Sequence, residues 1–290
     1  MTDVIERTET LDPTPAYALG DLLGVPVPGL AQGEGLPPLW HWVYLLERPP
    51  IADLGVDGHP VRGTLPAPPG PGLRRMWAGG RVRTSGPLRC GAPATKRTRV
   101  LSVTEKDGRS GRLTFVTVGH QVLQGDAVVV DEEHDIVYRG AAGATAASPR
   151  PAAAPGVAGP GVAGPGPEVP AGDGEREIGI SPAVLFRFSA LTYNAHRIHY
   201  DRDYCRDVEG YPGLLTHGPL QALAMAEAAR AGAGGYAGDV SFSYRLLAPL
   251  FDDQGLFVSA AVGPDGTTVT AVRDRYGRQT ATGTLRAARR

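Results

Sequence analysis

Residues 219–232, PLQALAMAEAARAG, decide how the second half of the chain is interpreted. Leu, Ala, Gln, Met, Glu and Arg all favour helices, and no β-branched residue interrupts the stretch. Pro219 suits the first turn of a helix, and Gly232 begins a glycine cluster that suits its end. Because apolar side chains fall on nearly every side, we predict a buried central helix.

The segments around this helix include several with the alternation of β-strands. Upstream, Ser181 and Pro182 precede a shorter helical stretch, as an N-cap and a first-turn proline would. Downstream, the turn sequences PDG at 264–266 and YG at 276–277 separate runs of alternating apolar and polar residues. The pattern predicts an α+β fold in which an antiparallel sheet wraps around the helix. The predicted strands are residues 239–250, 255–263, 267–274 and 278–287.

The first half of the chain repeats this pattern less clearly. Residues 38–46, PLWHWVYLL, are the candidate for its helix, and KDGRSG at 106–111 is typical of a hairpin turn. Each half therefore resembles one helix with about four strands, which predicts two copies of one fold in tandem. The strand candidates of this half are residues 75–84, 94–106, 111–123 and 126–139.

A segment of extreme composition separates the two halves. Within residues 141–172, 25 of 32 residues are Ala, Gly or Pro, so the segment has no face that it can bury. We predict a flexible linker over residues 141–173, an N-terminal domain over 1–140 and a C-terminal domain over 174–290. Each half has the size of a single domain.

Composition narrows the class of protein. The 29 basic and 30 acidic residues give a formal charge of −1, which argues against a nucleic-acid or anionic-membrane surface. Two cysteines, Cys90 and Cys205, make neither a disulfide framework nor a four-cysteine metal site. The polar N-terminus lacks the apolar core of a signal peptide, and no apolar run is long enough to span a membrane. We therefore expect a cytoplasmic protein.

Residues 193–201, YNAHRIHYD, form the densest polar cluster, and His217 lies at the predicted start of the central helix. Three interpretations compete. A metal site would use the two histidines three residues apart, but Arg197 between them is an unfavourable neighbour for a metal ion. Alternatively, the cluster only lines a loop. The third interpretation is acid–base catalysis beside the helix N-terminus at Gly218, where backbone N–H groups favour negative charge.

Two motifs of the C-terminal half, FSALTYNAHRIHYDRDY at 188–204 and EGYPGLLTHGPL at 209–220, resemble the MaoC-like hot-dog hydratases and dehydratases. The likeness is to the branch of hydroxyacyl-thioester dehydratase type 2 and 3-methylfumaryl-CoA (mesaconyl-CoA) hydratase. It extends to GLPPLWHWVYLLERPP, RRMWAGGRV, VTEKDGRSG and DIVYRG in the N-terminal half. The resemblance implies a double hot-dog fold, in which a non-catalytic N-terminal domain and a catalytic C-terminal domain form a pseudo-dimer within the chain.

The resemblance also implies roles for particular residues. Broader members of the family carry an Asp and, five residues later, a His; the matching residues here are Asn194 and His199. Because Asn cannot ionise, His199 would act as general base in hydration and as acid in dehydration, with Asn194 orienting the water. Gly218 matches the glycine whose N–H polarises the thioester carbonyl. The residues expected to bind substrate are Tyr193, His196, Arg197 and His217.

The implied activity is the reversible hydration of an enoyl-CoA to a 3-hydroxyacyl-CoA, by a hydro-lyase that needs no metal or redox cofactor. Arg197 suits a short branched dicarboxylic substrate of the 3-methylfumaryl-, mesaconyl- or itaconyl-CoA type; alternatively, it binds a CoA phosphate or Asp201. Two other functions stay open, an acyl-CoA thioesterase and an inactive acyl-thioester-binding module. The expected partner is an acyl-CoA or acyl-carrier thioester, and a homodimer is allowed.

Overall fold

One antiparallel sheet of ten strands organises the residues that the computed structural model describes, 4–63, 73–108, 111–140, 166–232 and 239–287. The N-terminal half contributes β1 (Ile5–Thr10), β2 (Leu73–Thr84), β3 (Pro93–Gly108), β4 (Gly111–Gln124) and β5 (Ala127–Gly140). The C-terminal half contributes β6 (Arg176–Ile178), β7 (Val240–Leu246), β8 (Leu256–Val262), β9 (Thr268–Arg273) and β10 (Gln279–Ala287). The helices are α1 (Thr14–Leu23), α2 (Pro182–Leu191), α3 (Arg202–Tyr204) and α4 (Gly218–Gly232).

The strand order shows that the two halves are copies of one fold. Across the sheet the order is β1-β3-β4-β5-β2-β7-β10-β9-β8-β6. Counted within its own half, each half runs from edge to centre as first, third, fourth, fifth and second strand. The halves join where β2 pairs with β7, from Gly79 opposite Arg245 to Thr84 opposite Val240. All eight predicted strands are present, and of the strands in the described residues only β1 and β6 were not predicted.

The predicted central helix is α4, which lies across β8, β9 and β10. Its Ala, Leu and Met side chains are buried on almost every side. Two buried polar side chains of α4 are both paired, as burial requires. Gln221 Oε1 accepts a hydrogen bond from Thr280 Oγ1 (2.8 Å), and Glu227 Oε1 accepts one from Trp40 Nε1 (2.8 Å).

The predicted helix over residues 38–46 is wrong. The segment forms only a short 3₁₀ turn, Trp40–Val43, between Leu39 (φ 71°) and Leu45 (φ 52°), which both lie in the left-handed region. Its rings instead donate hydrogen bonds to buried carboxylates of α4 and β5. These bonds join Trp40 Nε1 to Glu227 (2.8 Å), His41 Nε2 to Glu132 (3.0 Å) and Trp42 Nε1 to Glu132 (2.8 Å). The described part of the N-terminal half therefore has no counterpart of α4.

Most of the predicted linker, residues 141–165, lies outside the described residues, as do residues 109–110 of the predicted hairpin turn. Residues 166–173 are described and form exposed coil without regular structure, apart from the start of a turn. The domain boundaries at 140 and 173 stay predictions. Among the helices of the described residues, none has the length and apolar character that crossing a membrane requires.

Candidate active site

The candidate site lies where the loop after α2 meets the start of α4. Ser181 caps α2 as predicted, and its Oγ accepts an N–H of the first turn (3.3 Å). The chain then passes through a 3₁₀ turn, Arg197–His199, and Asp201 caps α3 by accepting the Tyr204 N–H (2.9 Å). The polar cluster over residues 193–201, which we call the histidine loop, thus lies between the end of α2 and the cap of α3.

His199 is held in one protonation pattern by the backbone. Its Nδ1 lies 2.7 Å from the carbonyl oxygen of Leu215, and the ring is buried. Because a carbonyl oxygen only accepts, Nδ1 carries the proton and Nε2 of the neutral ring keeps its lone pair. Burial lowers the pKa of His199 to about 4, against an opposing effect of the Leu215 hydrogen bond. His199 is therefore neutral at pH 7, and its Nε2 is able to accept a proton.

His217 packs face to face with His199, with ring centroids 3.5 Å apart and an angle of 17° between the planes. Its Nε2 lies 2.9 Å from Ser189 Oγ, whereas its buried Nδ1 has no hydrogen-bond partner among the described residues. Burial and the neighbouring His199 lower the pKa of His217. The neutral His217 ring therefore packs on the face of His199 and does not compete for its proton.

Gly218 is the first residue of α4. The N–H groups of a first helical turn have no acceptor within the helix, so they are available to an anion, and the helix dipole favours that charge. A Cβ at this position would overlap with Leu246 Cδ1. Glycine therefore permits the close approach of α4 and the end of β7.

Asn194 and Tyr193 precede the histidines. Asn194 Oδ1 accepts the His196 N–H (3.0 Å), so the carbonyl oxygen supports the loop and the NH₂ group is the part left to orient a water. Tyr193 has a left-handed backbone (φ 51°), and 54% of its surface is exposed. Tyr193 therefore lies on the solvent side of the histidine loop.

Arg197 is held by groups of the protein. Its Nε and Nη2 donate to Asp201 Oδ2 (3.0 and 2.7 Å), and its Nη1 donates to the carbonyl oxygen of Val56 (3.0 Å). The guanidinium also lies over the ring of Tyr204, 4.1 Å from its centroid. Of its two interpretations, pairing with Asp201 needs no rearrangement, whereas binding a substrate carboxylate would need this arrangement to open.

The N-terminal half contributes two side chains that sequence reasoning missed, Asp57 and His59. His59 Nδ1 lies 3.1 Å from Asp57 Oδ2, and the His59 ring stacks on His196 with centroids 3.8 Å apart. The backbone N–H of Arg197 also donates to the carbonyl oxygen of Asp57 (2.8 Å). The tripeptide DGH at 57–59 is too short and too distant in sequence from the histidine loop to predict this contact.

Asp57 and His59 line a pocket together with Pro60, Val61 and Arg75. Burial lowers the pKa of His59, and its hydrogen bond with Asp57 opposes that change. Burial raises the pKa of Asp57, but the hydrogen bonds from His59 prevail and the net shift is downward. Arg75 is partly buried, and no ion pair between two described residues includes it.

Two groups of described residues bring three metal-ligand atoms within 4.8 Å of one another. The first is Asp57, His59 and His196, where Arg75 lines the same pocket and its positive charge disfavours a metal ion. The second lies on the sheet of the N-terminal half and comprises His120, Glu132 and His134. Glu132 already accepts hydrogen bonds from His41 and Trp42.

Residues 39–252 match the sequence profile of a family described as hydroxyacyl-thioester dehydratase type 2. One relative, mesaconyl-C(4)-CoA hydratase of Chloroflexus aurantiacus, is 44% identical over 252 residues, which cover 83% of this chain and 84% of that protein. The range matched by the family profile includes the histidine loop and α4.

Solved structures share the whole architecture. HtdX of Mycobacterium tuberculosis superposes with a TM-score of 0.65 at 17% identity, over 99% of this chain and 100% of that one. A second protein of that organism, described as having a double hot-dog fold, gives a TM-score of 0.56 at 17% identity, over 98% and 94%. At these identities the likeness concerns the fold alone, and it confirms the predicted double hot dog.

Proposed function

The chain belongs to the hydroxyacyl-thioester dehydratase type 2 family, which makes it a hydro-lyase of CoA thioesters, and we propose that it hydrates a short branched dicarboxylic enoyl-CoA. The observation that carries the proposal is the geometry of His199. A buried imidazole with its Nδ1 proton fixed on a carbonyl oxygen presents a basic Nε2 beside a helix N-terminus.

In hydration, His199 Nε2 takes a proton from the water that attacks the β-carbon, and the Asn194 NH₂ group orients that water. The proton must end on the α-carbon of the enolate, and the low pKa of His199 makes its imidazolium a ready donor. Acid–base action of this kind contributes roughly 10²–10⁴-fold to the rate. In dehydration the steps reverse, and His199 protonates the leaving hydroxyl group.

Negative charge develops on the thioester oxygen as water adds. The proposed position of this oxygen is at the Gly218 N–H, where the first turn of α4 supplies unpaired donors and a favourable dipole. A single donor of this type contributes about 10²–10³-fold. His217, which stacks on His199, and His196, which packs at 90° to it, would enclose the reacting carbons and keep solvent out.

The acyl group would extend over the sheet of the N-terminal half, where no counterpart of α4 is present among the described residues. Arg75 on β2 lies opposite Tyr138 on β5, and Trp77 lies opposite Ile136, so these side chains share the inner face of the sheet. Trp77 and Ile136 therefore follow Arg75, which lines the pocket with His59, on the same face of the sheet. This arrangement suits a small branched acyl chain with one charged end.

Arg75 is a stronger candidate than Arg197 for binding the free carboxylate, because Arg197 already pairs with Asp201. The relative that carries the name mesaconyl-C(4)-CoA hydratase supports a dicarboxylic substrate. We expect Arg75→Met to lower kcat/KM for a dicarboxylic enoyl-CoA at least 10-fold more than for its monocarboxylic analogue. Arg197→Met is the matched comparison. A larger loss of preference for the dicarboxylic substrate in Arg197→Met than in Arg75→Met would assign carboxylate binding to Arg197.

A panel of enoyl-CoA thioesters tests the activity itself. Hydration removes the conjugated double bond and its absorbance, whereas a thioesterase would release free CoA thiol from the same substrates. We expect loss of absorbance without thiol release. Thiol release, or tight binding without turnover, would instead favour the thioesterase or the inactive binding module.

Three finer expectations belong to the same proposal. The substrate is carried as a CoA thioester rather than on a carrier protein, since the matched relative is named for a CoA ester. The other two expectations are that the chain forms a homodimer and that it is located in the cytoplasm. Sedimentation of the purified chain and fractionation of the producing cells would test them.

A further inference from the structure

We propose that Asp57 and His59 of the N-terminal half form a second acid–base pair, which exchanges the proton at the α-carbon of the substrate. This inference rests on the proposed hydration. Asn194 stands where broader family members have an ionisable Asp. Asp57 would supply the missing carboxylate from the other half of the chain.

The geometry is that of a carboxylate-backed imidazole. Asp57 Oδ2 accepts from His59 Nδ1 (3.1 Å), and Asp57 Oδ1 accepts from the His59 backbone N–H (3.0 Å). The two bonds fix both the position of the ring and its tautomer, so Nε2 of neutral His59 keeps its lone pair. An ionised carboxylate on Nδ1 also stabilises the imidazolium that forms when Nε2 takes a proton.

The pair lies beside the candidate catalytic histidines, with 31% of the Asp57 side chain and 20% of the His59 side chain exposed. The His59 ring packs against that of His196 with 36° between the planes, and the His196 ring lies at 90° to that of His199 with centroids 5.4 Å apart. Both Asp57 and His59 line the open pocket.

Gly58, between Asp57 and His59, lies very close to the histidine loop. Gly58 has φ +85°, and a Cβ there would overlap with the carbonyl group of Ala195 in the histidine loop. Only glycine combines that conformation with so close an approach. At Gly58 the N-terminal half therefore contacts the histidine loop directly.

In dehydration the substrate loses the α-proton and the β-hydroxyl group. His59 Nε2 takes the α-proton, and the electrons of the C–H bond move to the thioester oxygen as an enolate. The proton then passes through an intervening water to His199 Nε2, which delivers it to the β-hydroxyl group as the C–O bond breaks. Water leaves, and both imidazoles end neutral. Hydration follows the same path in reverse.

Exchange of the α-proton in D₂O separates the roles of the two histidines. The probe is a 3-hydroxyacyl-CoA that the wild-type protein dehydrates, followed by mass spectrometry. We expect His199→Ala to lose dehydration but to retain α-deuterium incorporation, and His59→Gln to lose both by about 100-fold. His120→Gln, which lies in the second histidine group, serves as the matched control and should keep both.

Asp57→Asn keeps the ring of His59 and therefore tests the pair even if His59→Gln is unstable. We expect kcat for exchange to fall at least 10-fold while KM for the thioester changes less than about 2-fold. Wild-type exchange in either variant would overturn the inference, as would loss of exchange on chelation and its recovery with zinc. A wild-type protein that hydrates no enoyl-CoA would instead contradict the proposed function.

Discussion

At the residue scale, three stacked or edge-packed imidazoles define the chemistry of the site. His196, His199 and His217 are buried, and burial lowers the pKa of each. The sequence motif placed them close together, but it could not show that His199 bonds to Leu215 or that Arg197 faces Asp201. Those contacts depend on how the loop folds back on itself. His59 was beyond prediction, because only the tertiary fold brings it to His196.

The same burial predicts how stability depends on pH. Imidazoles whose pKa is lowered in the folded protein bind fewer protons there than in the unfolded chain, so stability increases with pH between about 4 and 6.5. We expect a larger free energy of unfolding at pH 7 than at pH 5, measured by urea denaturation. Replacement of His199 by Gln should reduce the difference, and equal stability at the two pH values would contradict the interpretation.

Asn194 gives a second prediction at this scale. If its amide only orients water, Asn194→Asp should retain measurable hydration, since a carboxylate can also hold the water. The assay is the initial rate of absorbance loss with the best substrate. Complete inactivity of a folded Asn194→Asp variant would show that the NH₂ group donates a hydrogen bond that the site requires.

At the element scale, alternation predicted eight of the ten strands and composition predicted α4, because each pattern is local. The same reasoning wrongly predicted a helix over residues 38–46. Its aromatic residues suited a buried helix, yet their ring N–H groups bond to Glu227 and Glu132 in other elements. Local propensity carries no information about such partners.

The Trp40 hydrogen bond predicts a measurable cost. Trp40→Phe preserves most of the packing but removes the donor to the buried Glu227. Arg230 still pairs with that carboxylate (2.7 Å), so the loss should be moderate. We expect the free energy of unfolding to fall by about 1–3 kcal/mol. An unchanged stability would mean that the bond contributes nothing to holding the 3₁₀ turn on α4.

At the scale of the whole molecule, the β2–β7 pairing makes one sheet of two homologous halves, and the site draws side chains from both. Repetition in the sequence predicted the tandem arrangement, although not the replacement of the N-terminal helix. Because the sheet is continuous and the histidine loop contacts residues 57–59, we expect a single cooperative thermal transition by calorimetry. Two separated transitions would indicate that the halves fold independently.

His199 is proposed as the acid–base residue of a CoA-thioester hydratase. The direct measurement is the turnover of a mesaconyl-type CoA ester by the wild-type protein and by His199→Ala, with binding of the saturated acyl-CoA measured in parallel. We expect turnover to fall by at least about 10²-fold in His199→Ala while binding is largely retained. Near-normal turnover in His199→Ala would contradict the proposal.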